Sequence, residues 1–272
     1  MRLFTLVTIV ALATAPAMLA TASYAQGQLP EAPSKAGVDG KAAQSPVDEP
    51  ASSMRMRAEP AKPKTKKLGI IIFPGFETLD VFGPVQMWGR LPDYEVVMVS
   101  EHGGSVRSAQ GIETVAAYSF ANAPQFEIIM IPGGIGTRRE VDNPAMLQFL
   151  QQQDRGTEWT TSVCTGSAVL AKAGILNGRN ATSNKMGWKF ATSQSSDVHW
   201  QGHARWVVDG KYVTSSGVSA GTDMALGLVE KLYGRSAAER AARGAEYSWN
   251  DDSTKDPFAI ELRHVAREPA ER

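Results

Sequence analysis

The stretch TTSVCTGSAVLAKAG, residues 160–174, holds Cys164, the one cysteine of a 272-residue chain. A side chain at the junction between a strand's end and a helix's start is held towards the crevice above the sheet, the arrangement of a nucleophile elbow. The first turn of a helix carries partial positive charge, which favours thiolate over thiol. Cys164, followed by Thr165, Gly166 and Ser167 at a helix opening, is therefore predicted to have a depressed pKa and to attack without an adjacent base. The competing reading is an inert buried cysteine, the commonest fate of a free thiol. The elbow position, the adjacent glycine and the lack of a second cysteine in a chain with an export signal favour reactivity.

Two further stretches carry groups that such a thiol can use. PGGIGT, residues 132–137, supplies Gly133 and Gly134. Without side chains, their backbone N–H groups are predicted to approach a reacting atom and, with the N–H of Thr165, to form an anion-stabilising pocket. GFETLDVFGP, residues 75–84, places Glu77 and Asp80 three positions apart, on one side of a helix. A favourable first-turn charge accounts for Glu77 equally well. Asp80 precedes an inward-packing stretch and is the better candidate for a carboxyl group that donates protons or orients water. The four histidines, His102, His199, His203 and His264, fall in no loop that faces the elbow. His199 and His203 are four apart, but metal binding at that spacing needs a helix and DVHWQGHARWVV reads as strand and turn, so neither a metal site nor a cofactor is expected.

The elements that must position these groups follow from hydrophobic pattern. Short continuous apolar runs at 68–73, 94–100, 126–132 and 158–164 read as buried parallel strands, and stretches at 79–90, 144–153, 166–173, 185–192 and 220–233 read as helices. Asp209-Gly210 marks a hairpin within 204–216. The predicted fold class is α/β, a parallel-sheet sandwich covered by helices on both faces. The three chemistry-bearing stretches all fall at carboxyl ends of its strands, where such sheets bind ligands.

The ends of the chain read differently. Residues 1–25 have one arginine, a small apolar run broken by Pro16 and a small-residue ending at Ala25, which predicts a cleaved secretory signal, a periplasmic location and no membrane association after cleavage. No cysteine stands at the cleavage point to carry a lipid. Residues 26–67 are rich in Pro, Ala, Ser and charge and are predicted to be a disordered leader, with Lys62, Lys64, Lys66 and Lys67 as solvated charges. The folded domain is predicted over 68–249, with a polar, loosely packed tail over 250–272 that Phe258, Ile260 and Leu262 could pin in part. Lys and Arg total 28 against 28 Asp and Glu, and no basic stripe points to nucleic acid.

In combination, IIIFPGFETLDVFGP, IMIPGGIGT, SVCTGSAVLAKAGILNGRNATSNK and YVTSSGVSAGTDMALGLVEKLYG resemble the ThiJ/PfpI superfamily over about residues 68–234. That resemblance implies a single-domain, flavodoxin-like fold of the class I glutamine amidotransferase type. Within the superfamily the chain is similar to the isonitrile hydratase-like branch, which implies Asp80, Cys164 and Thr165 as the catalytic set. It also implies a small molecule, an isocyanide, as the partner that is hydrated to an N-substituted formamide, and it leaves a homodimer open. Many relatives carry a histidine after ATT. Here ATSNK puts Lys185 near that place, which argues against an amidotransferase or protease triad and adds Lys185 to Gly133, Gly134, Glu77 and Gly166 as expected substrate or oxyanion contacts. The alternative reading is a stress or redox protein that uses an activated Cys164 thiol.

Overall fold

A computed structural model describes residues 64–259. The expected signal peptide, most of the leader, and Ile260, Leu262 and His264 lie outside the described residues. In chain order the elements are β1 (Lys66–Ile71), α1 (Thr78–Trp88), β2 (Tyr94–Ser100), β3 (Gly104–Arg107), β4 (Glu113–Ala116), β5 (Tyr118–Ser119) and β6 (Ile128–Ile131). They continue with α2 (Thr137–Glu140), α3 (Pro144–Asp154), β7 (Trp159–Val163), α4 (Gly166–Lys172), β8 (Asn180–Ala181), α5 (Trp188–Thr192) and β9 (His199–Trp200). The last are β10 (Trp206–Asp209), β11 (Tyr212–Ser215), α6 (Ala220–Tyr233) and α7 (Arg235–Gly244).

Seven strands form one sheet in the order β10-β11-β7-β6-β1-β2-β5. Every neighbouring pair is parallel except the β10–β11 hairpin, where Trp206 faces Ser215. Strand β6, at the middle of the sheet, is apolar throughout because helices deny water to both faces: all four of its residues are buried. Helix α6 packs on α1 and α7, while α4 packs on α2, α3 and α5.

Helix α1 comes close to α6 at a glycine and is tied to it by a tryptophan. A Cβ on Gly83 would collide with the Thr222 side chain, and Trp88 Nε1 donates to the Ala225 carbonyl at 3.0 Å. Pro84 lies inside this helix and cannot donate to the turn before it. The close seat against α6 fixes where Asp80, one turn earlier, meets the sheet.

Both predicted domain edges shift. Lys66 and Lys67 belong to β1, not to the leader, and pair with Glu158 and Glu95 at 2.7 Å. At the other end, residues 250–259 are not a loose tail. The Arg205 N–H donates to Ser253 O at 2.8 Å, the Asp256 N–H to His203 O at 2.9 Å and the Asn250 N–H to Asp223 Oδ1 at 3.0 Å. The anchor is polar: Asp256 is buried beside Lys185 and Arg205, while Phe258 is half exposed.

Candidate active site

Strand β7 ends at Val163 and α4 begins at Gly166, so Cys164 and Thr165 make the whole turn between them. Cys164 takes φ = +59°, a left-handed conformation that costs a non-glycine residue energy and persists only where its surroundings hold it. Those surroundings are complete. The Cys164 N–H donates to Ser215 O at 3.1 Å, and the Cys164 carbonyl accepts from the Ser167 and Ser183 hydroxyls, each at 3.1 Å. A Cβ on Gly166 would strike the Ile131 carbonyl, so only glycine lets α4 leave β7 at this angle.

Asp80, on the first turn of α1, is completely buried and reaches the same place from the other side. Its Oδ2 accepts from the Gly133 N–H at 2.8 Å, and its Oδ1 has no hydrogen-bond partner among the described residues. Burial pushes the carboxyl up to about 8, a rise that the Gly133 N–H and the Cys164 thiol moderate and the charge of Glu77 increases. At neutral pH the carboxyl is therefore protonated, which removes the cost of an unpaired buried charge on Oδ1.

The thiol follows the same physics, and the predicted depression of its pKa is reversed. Cys164 is only 6% exposed. Burial first, and then the negative charge of Asp80, push the thiol up from the ordinary 9.0, against hydrogen bonds from the Thr165 backbone and side chain. Helix α4 is seven residues long, and its terminus does not outweigh that desolvation.

The glycine N–H groups also differ from their expected role. Gly133 N–H is engaged by Asp80, and Gly134 N–H donates to Thr165 Oγ1 at 3.2 Å, with the Thr137 hydroxyl on the same oxygen at 3.1 Å. Gly133 and Gly134 thus orient the acid and Thr165; they do not present open donors to a ligand. Gly134, at φ = +118°, has no room for a side chain beside the Phe76–Glu77 backbone. The Glu77 N–H donates to Gly133 O at 2.9 Å, and the Glu77 carboxylate accepts from Gln110 at 2.7 Å.

A cavity of about 210 Å³ opens onto Cys164, bounded by Glu77, Gly134, Thr165, Asn184, Gly187 and Val218 among others. Asn184 is the group that the sequence reading passed over. Its Oδ1 accepts from the Gly187 N–H at 2.7 Å. A Cβ built on Gly217 would collide with Asn184 Nδ2 and lie 2.8 Å from Cys164 Sγ, so the amide and the sulfur flank one point. Asn184 Nδ2 makes no hydrogen bond among the described residues, so it is the open donor beside the sulfur.

A family model for the DJ-1/PfpI family matches residues 66–231. The chain is also 32% identical to isonitrile hydratase of Pseudomonas putida over 182 residues, which cover 67% of this chain and 78% of that protein. This chain belongs to the DJ-1/PfpI family. It is 22% identical to protein dj-1beta of Drosophila melanogaster, over 68% of this chain and all of that one. Among solved structures, a ThiJ/PfpI family protein from Pseudomonas syringae superposes with a TM-score of 0.62 at 27% identity, covering 81% of this chain and 93% of that chain.

In this DJ-1/PfpI chain the last expected contact, Lys185, turns away from the site. Its Nζ donates to Thr182 Oγ1 and Ala204 O at 3.0 Å and to Ser183 O at 3.2 Å, and it lies 3.4 Å from Asp256 Oδ2. A buried ammonium needs that many partners, and none of them is in the cavity. Burial pushes Lys185 down and Asp256 pushes it back up. None of the described histidines borders the cavity, and no group of three or more His, Cys, Asp or Glu able to hold a metal occurs among the described residues.

Lys185 is thereby a fastening for the loop that carries Asn184. Lys185→Met leaves Asp256 buried with only the more distant Arg205, 4.0 Å away, and is expected to destabilise the fold by about 3 kcal/mol in urea unfolding. The double variant Lys185→Met/Asp256→Leu should recover most of that loss. A single variant as stable as the wild type would show that the pair is not what holds the loop.

Proposed function

We propose that this chain is an exported cysteine-dependent hydratase of a small isocyanide, similar in activity to its isonitrile hydratase relative, with Cys164 as nucleophile and Asp80 as the proton donor and acceptor. The observation that carries the reading is the convergence on Gly133 of the Cys164 side chain and the buried Asp80 carboxyl group, with a cavity opening onto the thiol. A neutral thiol next to a neutral acid suits addition to an uncharged, weakly polar substrate, where both a nucleophile and a proton must arrive at one carbon.

Each step balances. The Cys164 sulfur bonds to the terminal carbon of R–N≡C as Asp80 gives that carbon a proton and the thiol proton replaces the one given, leaving the thioimidate R–N=CH–S. Water then adds its oxygen to the same carbon, one water hydrogen passing to nitrogen by way of Asp80. Breaking the C–S bond returns the hydroxyl proton to sulfur and releases R–NH–CHO. Thr165 N–H faces the sulfur and Asn184 Nδ2 stands open beside it, so both support the charge that develops during addition and collapse.

Asp80→Asn keeps the shape and removes the proton. Turnover of the isocyanide is expected to fall by about 100-fold or more, whereas Glu77→Gln, at the edge of the cavity and already engaged by Gln110, should cost much less. Wild-type kcat/KM should hold on the acid side of about pH 8 and decline above it, as Asp80 loses its proton. Stability has the same sign: the folded state binds a proton that the unfolded chain gives up above 3.8, so the Asp80 contribution is lost as pH rises from 3.8 through about 8. If both substitutions leave turnover intact while Asp80→Asn chiefly changes how fast peroxide oxidises Cys164, the carboxyl tunes a redox thiol and the hydratase reading fails.

Export rests on the first 25 residues. Protein recovered from its native host is expected to begin near Gln26 by mass spectrometry, and recovery of intact Met1 from the cytoplasm would contradict it.

A further inference from the structure

A second cavity, of about 390 Å³, lies between the end of α1 and α7 and shares no residue with the cavity at Cys164. It exists because α7 presents alanines, Ala237 and Ala241, where larger side chains would close the gap to Met87 and Leu91 on the α1 side and Val229 on α6. Its size is that of a small-molecule site, about 300–1,000 Å³. Arg90 and Arg240 also border it, both exposed.

Those two guanidiniums are unusual among the described residues. Arg107, Arg139, Arg179, Arg205, Arg235 and Arg243 each lie within 4.0 Å of a carboxylate, and Arg138 stacks on Phe190. Among the described residues only Arg90, Arg155 and Arg240 have neither partner, and two of these three stand at one apolar cavity. A guanidinium presents a fork of N–H donors matched to a carboxylate. We propose that this cavity binds a small amphipathic carboxylate, its apolar chain against Met87, Leu91, Val229 and the two alanines and its carboxylate between Arg90 and Arg240. The site is independent of the reaction at Cys164.

Calorimetric titration of the purified protein with octanoate tests this, with 1-octanol, inorganic phosphate and phosphatidylglycerol vesicles as the comparison arms. Octanoate is expected to bind saturably at one site, with 1-octanol and phosphate each at least about ten-fold weaker, since one lacks the charge and the other the chain. Arg90→Ala and Arg240→Ala should each weaken octanoate about ten-fold and together about a hundred-fold, with circular dichroism unchanged because both side chains are exposed. Ala241→Leu should fill the cavity and abolish binding, and Cys164→Ser should leave it untouched. Equal binding of 1-octanol, equal binding of phosphate, binding to vesicles but not to monomeric octanoate, arginine variants that bind like the wild type, sensitivity to Cys164→Ser or no saturable binding would each overturn the assignment.

Discussion

Cys164→Ser is expected to reduce isocyanide turnover by about 1,000-fold or more, the largest loss of any single substitution in the chain. The hydroxyl has almost the shape of the thiol and can keep the left-handed turn, whose N–H and carbonyl are held by Ser215, Ser167 and Ser183 rather than by the sulfur. What it lacks is nucleophilicity, and nothing beside it supplies a strong base, since Asp80 is protonated at neutral pH and no described histidine borders the cavity. The unfolding midpoint should move little, which separates loss of the nucleophile from loss of the fold. A serine variant that retains a tenth of the wild-type rate would remove the sulfur from the mechanism.

Gly133→Ala is expected to be nearly as damaging, for a spatial reason. A Cβ there would lie 2.6 Å from the Thr165 nitrogen, 2.7 Å from Cys164 Cβ and 2.8 Å from Asp80 Oδ2. All three contacts are inside van der Waals separation, so the acid and the thiol must part to admit one methyl group. Displacement of about 1 Å between reacting groups costs roughly 100-fold. The accompanying strain on the Gly133 N–H to Asp80 bond brings the expected loss in kcat/KM to about 300-fold, with about 2 kcal/mol of stability lost to overpacking. Gly244→Ala, whose nearest neighbour would be Arg90 at 3.7 Å, should leave turnover unchanged. Equal behaviour of the two variants would mean that the pocket is looser than its geometry.

Much of this arrangement was legible in residue order. Continuous apolar runs read as buried strands, and β2 and α6 fall on the predicted 94–100 and 220–233. Cys164, Asp80 and the Gly-Gly pair converge because each follows or faces the carboxyl end of a strand, which pattern alone reveals. Direction and solvation were not legible. In ATSNK the side chains of adjacent residues diverge, Asn184 towards the sulfur and Lys185 towards Asp256, and an irregular loop has no period from which to read that. The resemblance puts Lys185 near the place of the relatives' histidine, yet a buried charge goes where its partners are, here Thr182 and Asp256. The thiol's rise has the same origin: the helix terminus is visible in sequence, whereas burial beside the Asp80 carboxyl group is a property of the assembled pocket. Asp256 escaped for a related reason, since a polar segment looks unfastened until the buried Arg205 and Lys185 that receive it are in place.

The central claim, that the buried thiol and acid add water to a small molecule, is tested most directly by proton NMR of the wild-type protein incubated with a panel of isocyanides, esters, amides and methylglyoxal. Conversion of an isocyanide to its N-substituted formamide, with one oxygen from solvent when the water is ¹⁸O-labelled, is the result expected. No turnover of any isocyanide, alongside ready and reversible oxidation of Cys164 by peroxide, would contradict it.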